Sequence, residues 1–520
     1  MHVADILVIA AYLLTLVVIG IRAAGRQKTT DSYFVAGRSV PGWAAGLSLL
    51  ATIITSLTFI AYPGSAYAGD WNLLVPGIVF VAVILSIGPI IVPFFRHAVS
   101  MSVYEYFGKR FGLGVRMYSS FAFAAGHFAK MGFVFYLLAL AVAGFTGWSI
   151  PLLLVGLGVI TIFYTFIGGL HAVIWTDVVQ SILIWTGIAI AVVLLLTSPH
   201  AHPRGMFHLM AVNHKASLGS LDFDLARPTF WTMTLYGFFY YLQKYTADQT
   251  VVQRYLAAKS DRAALSGIKL GASLCLPVWT AFMLIGSLLW AFYRLSGEVL
   301  PAAVTRADQV FPYYIVTQMP VGIGGLFLAA LFGAAMSMLA SDLNCLGLVL
   351  VEDFYAHWFP RNSDAQRLRF GKTSIVVCGA LAITVALYLT RTQGSALASY
   401  YIATSIISGG LAGLFLLAFL SRRAGRAAAI AGIAADLVFT TYATLTLGGG
   451  KILDLHRFNY PWSEYTIGAF GNIVLLATGL FCAALHPARS ARNSTITLWG
   501  WLANRKQTTG PHEIQLGETP

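Results

Sequence analysis

Thirteen apolar runs recur along this chain, each long enough to cross a bilayer: 3–23, 41–67, 72–95, 116–144, 150–168, 172–198, 229–252, 266–293, 320–350, 373–390, 397–420, 427–447 and 466–486. A hydrocarbon core about 30 Å thick takes about 20 apolar residues per helix. The runs hold about 310 of the 520 residues. Lipid cannot hydrogen-bond a backbone, so spans are helices or closed barrels, and the alternation of a barrel strand is missing here. The expected fold class is therefore an all-α polytopic membrane protein. Charged residues make up 10% and the mean hydropathy is +0.75, whereas soluble proteins are about 25% charged. That excludes a soluble enzyme, a disordered chain and a disulfide scaffold. Cys275, Cys345, Cys378 and Cys482 all lie in apolar runs and read as packing residues.

The net charge of +13 reads as topology once the basic residues are placed. With thirteen spans the termini face opposite sides. One side collects 23 of the 33 Lys and Arg, including Arg22, Arg96, Arg110, Arg116, Arg254, Arg367 and Arg422. The other collects 8, and Lys130 and Lys244 fall inside spans. The positive-inside bias then puts the N-terminus outside and the C-terminus in the cytoplasm, in a plasma (inner) membrane protein. No nucleic-acid partner is implied. The first run lacks a basic leader and reads as a retained helix. Residues 1–486 form one transmembrane domain, and 487–520 form a cytoplasmic tail that is polar after Trp501 and loose.

Polar residues inside spans are expensive and mark function by default. The second run carries Ser48, Thr52, Thr55, Ser56 and Thr58 in eleven residues, followed by Pro63-Gly64. The seventh packs Gln243, Lys244, Tyr245, Thr246, Asp248 and Gln249 into seven positions. The bland reading is polar glue between helices. The functional one is a pair of broken helices whose free ends hold ion and solute near the midplane. Their separation by five spans fits inverted repeats at about 41–198 and 229–420. Lys130, Asp177, Asp342 and Asp436 are the other intramembrane charges. Asp177 reads equally as functional or as structural, the latter a helix cap or an ion pair with a loop arginine, and Asp436 reads as structural. Ser337 and Ser341 share a helix face with i, i+4 spacing.

Several segments together resemble the sodium:solute symporter family. They are Asp31-Ser-Tyr-Phe-Val-Ala-Gly-Arg38, Gly168-Gly-Leu-His-Ala-Val-Ile-Trp-Thr-Asp-Val-Val-Gln180, Ala247-Asp-Gln-Thr-Val-Val-Gln-Arg-Tyr-Leu-Ala-Ala-Lys259 and Leu328-Ala-Ala-Leu-Phe-Gly-Ala-Ala-Met-Ser337. Thr58-Phe-Ile-Ala-Tyr-Pro63, Ala68-Gly-Asp-Trp71 and Lys130-Met-Gly-Phe-Val-Phe-Tyr136 are similar to the bacterial sialic acid symporters in particular. The resemblance implies a LeuT-type five-plus-five core with one helix before and two after. It also implies import of a small solute with sodium as coupling ion, no other cofactor, and a monomer working in the bilayer.

Residue by residue, the resemblance implies a sodium site at Ala51, Ile54, Ala334, Ser337 and Met338, where Met338 replaces an expected hydroxyl. Sodium is a hard cation and a thioether serves it poorly. A second sodium set would be Asp177, Ser337, Ala340 and Ser341, with Ala340 in place of a serine. Asp342 and Asp248 are candidates for proton or ion coupling. The solute pocket would match Ile53, Thr55, Thr58, Leu73, Gly77, Lys130 and Tyr245, with Gln243 and Lys244 nearby. Ile53 and Gly77 replace polar residues. Lys130 stands where an arginine would clamp a carboxylate, so it keeps the charge and loses the fork. These departures point to a sugar, sugar acid or monocarboxylate other than sialic acid.

Other classes compete. Met338 and Ala340 motivate proton coupling or no ion at all. A sensor of this fold would need a signalling domain for which the tail has no room, and a channel would need a filter loop or repeated pore charges. An enzyme is not expected, since the histidines form no metal spacing and no nucleophile motif appears.

Overall fold

The computed structural model describes residues 2–25, 27–198, 202–302, 304–391, 409–448, 451–485 and 495–508. Helices dominate these residues. They are α1 (Val3–Ala24), α2 (Gly42–Ile53), α3 (Ser56–Ala68), α4 (Leu74–Ala98), α5 (Leu113–Thr146), α6 (Ile150–Leu196), α7 (Phe230–Thr246), α8 (Gln249–Ala257), α9 (Asp261–Leu295), α10 (Ile323–Val349), α11 (Asp364–Leu389), α12 (Leu411–Leu420), α13 (Arg426–Thr446), α14 (Glu464–Leu485) and α15 (Leu498–Thr508). Nine are long and apolar enough to cross a membrane, and α2 with α3 makes a tenth as a bent pair. The first half of the eleventh expected run, 397–420, falls outside the described residues, and its second half holds α12.

Helix α6 has 47 residues. Straight, it would reach about 70 Å, more than twice the hydrocarbon thickness. It is two spans joined at Gly169, whose φ of 54° and ψ of −154° suit only glycine. A Cβ there would also meet the Tyr33 carbonyl at 2.6 Å. The expected boundary between runs five and six is thus a glycine corner.

Both polar runs are broken. Helices α2 and α3 meet at 60°. The break lies at Ile54–Thr55, earlier in the chain than Pro63-Gly64. Thr55 restarts the helix because its N–H donates to Thr58 Oγ1 at 3.3 Å, while Pro63 sits inside α3. The second break separates α7 from α8, where Asp248 caps the new helix by accepting from the Thr250 N–H at 2.9 Å.

Helices α2 and α9 touch backbone to backbone. Gly42 and Gly46 on one face Gly267 and Gly271 on the other, and a Cβ on Gly46 would lie 2.5 Å from the Gly267 carbonyl. Small residues four apart give membrane helices such contact, where dispersion does the work that water does elsewhere.

Two arginines leave the set that orients the chain. Arg254, on α8, is fully buried, and Arg110 is 4% exposed. Arg110 donates to the carbonyls of Ala418 at 2.9 Å and Ser421 at 2.7 Å, closing the C-terminal end of α12. The tail contains more order than its polarity suggests. Helix α15 docks through Trp499, whose Nε1 donates to the Leu420 carbonyl at 2.8 Å, and through Trp501, edge-on to Phe94 at 5.7 Å. Residues 509–520 lie outside the described set. Cys275 and Cys345 are buried among packed helices.

Candidate functional site

A cavity of about 450 Å³ opens beside the α2–α3 break. Thr52, Ile53, Thr55 and Thr58 supply one wall, and Lys130 of α5 and Lys244 of α7 supply two cations. Aromatic rings close the rest: Tyr62, Tyr240, Trp279 and Tyr465 among them. Tyr62 stacks on Trp279 at 6.2 Å and 14°. This is the size and texture of a small-molecule site, apolar with a few convergent polar groups.

Both cations belong to one chain of buried charges. Lys130 Nζ lies 3.0 Å from Asp342 Oδ2 and 3.2 Å from its Oδ1. His127 Nδ1 lies 2.8 Å from the same Oδ1. The other ring nitrogen, Nε2, is 3.1 Å from Asp248 Oδ2, which also accepts from Lys244 Nζ at 2.5 Å. The chain joins α5, α7, the second break and α10. Asp342 is fully buried, whereas the Lys130 side chain keeps 32% of its surface open. Both lysines thus line the cavity with their ammonium groups paired to aspartates, Lys130 to Asp342 and Lys244 to Asp248.

Asp177 of α6 already faces a cation. Its Oδ1 accepts from Ser337 and its Oδ2 from Ser48, both at 2.5 Å. Arg254 Nη2 lies 3.4 Å from that Oδ2 and donates to Ser341 Oγ at 2.6 Å and Thr52 Oγ1 at 2.8 Å. Its Nε donates to Ser48 at 3.2 Å and its Nη1 to the Thr250 carbonyl at 2.5 Å. The guanidinium thus ties α2, α6 and α10 together, and buried charge persists when its donors are filled in this way. Of the second sodium set, Asp177, Ser337 and Ser341 are brought together around Arg254 and Ser48.

The first set lies where α2 ends. A helix stop leaves its last four carbonyls without intrahelical donors, and these belong to the residues around Ala51 and Ile54. Ala334, Ser337 and Met338 are all fully buried on α10, and Met338 lines the cavity. Of the solute residues, Thr55, Thr58, Lys130 and Lys244 line it too, as do Ile53 and Leu73. Tyr245 does not. It stacks on Phe80 at 5.0 Å and donates to the Phe80 carbonyl at 3.3 Å. Gly77 lies under Trp279, and a Cβ there would meet the ring at 2.6 Å. Gln243 is not among the lining residues.

Sequence reasoning missed His127 and the aromatic wall. His127 carried a signal, standing three residues before Lys130 on one helix face. The aromatics carried none, because Phe, Trp and Tyr are 13% of the chain and are common throughout membrane helices.

The profile of the sodium:solute symporter family matches residues 33–435. The sodium/sialic acid symporter NanT of Aliivibrio fischeri is 32% identical over 489 residues, 91% of this chain and 92% of that protein. The sodium/sialic acid symporter SiaT of Proteus mirabilis is 31% identical over 496 residues, 93% and 95% of the two. Among solved structures, a Na⁺-coupled sialic acid symporter in a substrate-bound outward-open state superposes with a TM-score of 0.88 at 29% identity. That match covers 94% of this chain and 99% of that one. The chain belongs to the sodium:solute symporter family.

Proposed function

We propose that this sodium-coupled importer carries a small organic anion, a sugar acid or a monocarboxylate. The observation that carries the reading is the pair of lysines, Lys130 and Lys244, facing a cavity of about 450 Å³. Lys130 supplies the charge for a carboxylate, with Thr55 and Thr58 as hydroxyl partners. Trp279 and the tyrosines offer flat apolar faces to a ring or chain. Sodium takes the carbonyls of Ala51 and Ile54 with Ala334 and Ser337, next to the thioether of Met338. The protein works as a monomer, with its N-terminus outside and its C-terminus in the cytoplasm.

The test is binding followed by uptake. Purified protein is heated with N-acetylneuraminate, gluconate, lactate or the neutral sugars glucose and galactose, each with sodium or choline, since a ligand that binds the folded state raises its melting temperature. An anion that stabilises only with sodium, and whose uptake into proteoliposomes collapses in choline, supports the reading. Stabilisation by neutral sugars alone would overturn the anionic part.

A further inference from the structure

Arginines just past a helix usually cap its last carbonyls. Arg422 and Arg423 follow α12 and are exposed, but that role is already filled. The carbonyls of Ala418 and Ser421 accept from Arg110, and that of Leu420 accepts from the Trp499 indole. Among the described residues neither guanidinium meets a carboxylate or a carbonyl. Arg422 lies over the Trp499 ring, 5.7 Å from its centroid. No acid is close along the chain either, since 411–435 and 465–508 contain none. Each guanidinium therefore keeps a planar fork of donors, the shape that matches a phosphate group.

Both arginines line an open groove of about 540 Å³. Leu480, Ala483 and Ala484, at the C-terminal end of α14, supply its apolar part. Helix α14 is long and apolar enough to cross a membrane, and its Phe481 and Leu485 are each 68% exposed. Acyl chains cover such a surface in a bilayer. Trp499 lines the groove as well, half-exposed, with its N–H bonded to protein. An apolar ring with a satisfied polar tip is the habit of tryptophan at a membrane surface. None of these residues lines the solute cavity.

The two halves of the lining together select the occupant. A soluble anion would match the arginines and leave Leu480 uncovered. A zwitterionic lipid would cover Leu480 but bring a second positive charge to two arginines. We propose that the groove binds an anionic phospholipid, with its phosphate on Arg422 and Arg423 and its acyl chains along the end of α14. Basic pockets between helix ends at the membrane surface recognise lipid headgroups in this way. The bound lipid ties α12, α14 and α15 together.

The test melts the full chain in neutral detergent with phosphatidylglycerol, phosphatidylcholine or glycerol 3-phosphate. Phosphatidylglycerol should raise the melting temperature by several degrees more than phosphatidylcholine does. Arg422→Gln with Arg423→Gln should lose that difference. Arg361→Gln with Arg369→Gln, two exposed arginines around the start of α11, should keep it. Equal stabilisation by the two lipids overturns the proposal. So does an equal loss in both double variants, which would reduce the effect to general electrostatics. A full shift with glycerol 3-phosphate alone overturns it in favour of a soluble anion. The unaltered protein gives a second readout that needs no variant to fold. Phosphatidylglycerol with a diazirine in its acyl chain should, on illumination, label residues 480–485 more than the matching phosphatidylcholine probe does. Labelling there no greater than with phosphatidylcholine overturns the site.

Discussion

Lys130 does two jobs at one nitrogen: it neutralises Asp342 from one side and presents charge to the cavity from the other. Charge-assisted hydrogen bonds contribute about 1.5–3 kcal/mol. Lys130→Ala should therefore weaken apparent anion affinity by roughly ten- to a hundredfold, and Lys130→Arg should recover much of it. Uptake measured against solute concentration checks both. Arg254 is different, since all of it is buried. Arg254→Met leaves the Asp177 carboxylate without its cation, and breaking a buried pair from one side costs about 3–5 kcal/mol. Thermal melts in detergent should show a large fall, partly recovered in the double variant Arg254→Met with Asp177→Asn. The sequence made Lys130 legible because charge within an apolar run stands out. It hid Arg254, because an arginine near Lys259, Arg262 and Lys269 reads as one more orienting residue. Only the turn at Ala247–Asp248 sends α8 back inward.

At the scale of helices, the two breaks do most to shape the site. Polar density in runs two and seven foretold both. The position of the first was less legible, because proline is the louder signal although Thr58 actually receives the free N–H. An α-helix tolerates a proline when neighbouring groups re-satisfy its backbone. The sodium reading is tested on the facing helix α10. Met338→Ser restores a hard oxygen beside the carbonyl ends of α2. It should lower the sodium concentration for half-maximal uptake several-fold. An unchanged sodium activation curve would place sodium elsewhere.

The whole molecule is a LeuT-type transporter, and run length alone made its all-helical membrane class legible. The glycine corner at Gly169 explains how two runs with almost no polar gap still form separate spans. Topology is checked by labelling single cysteines in intact cells on a cysteine-free background. Ser32→Cys should react only after permeabilisation, because Arg26, Lys28 and Arg38 belong to the positive side. Ser220→Cys, in the loop before α7, should react at once with an impermeant maleimide. What composition could not supply is which charges meet. His127, Asp248 and Asp342 are separated by 121 and 215 residues from histidine to each aspartate, and their meeting depends on three helices packing in register.

The glycine seam between α2 and α9 also restricts how the machine can move. Carbonyls and Cα atoms mesh there like teeth, so a slide by one residue would drive a side chain into backbone. Translation and screw motion along that contact are removed, and the pair is left to travel as a single lever. Helix α3 meshes with the same partner, since a Cβ on Gly286 of α9 would run into the Pro63 carbonyl, so the lever carries α3 as well. Spin labels on exposed Trp43 and Leu270 should then report one narrow distance, the same with sodium and without it, while the tip of the lever swings.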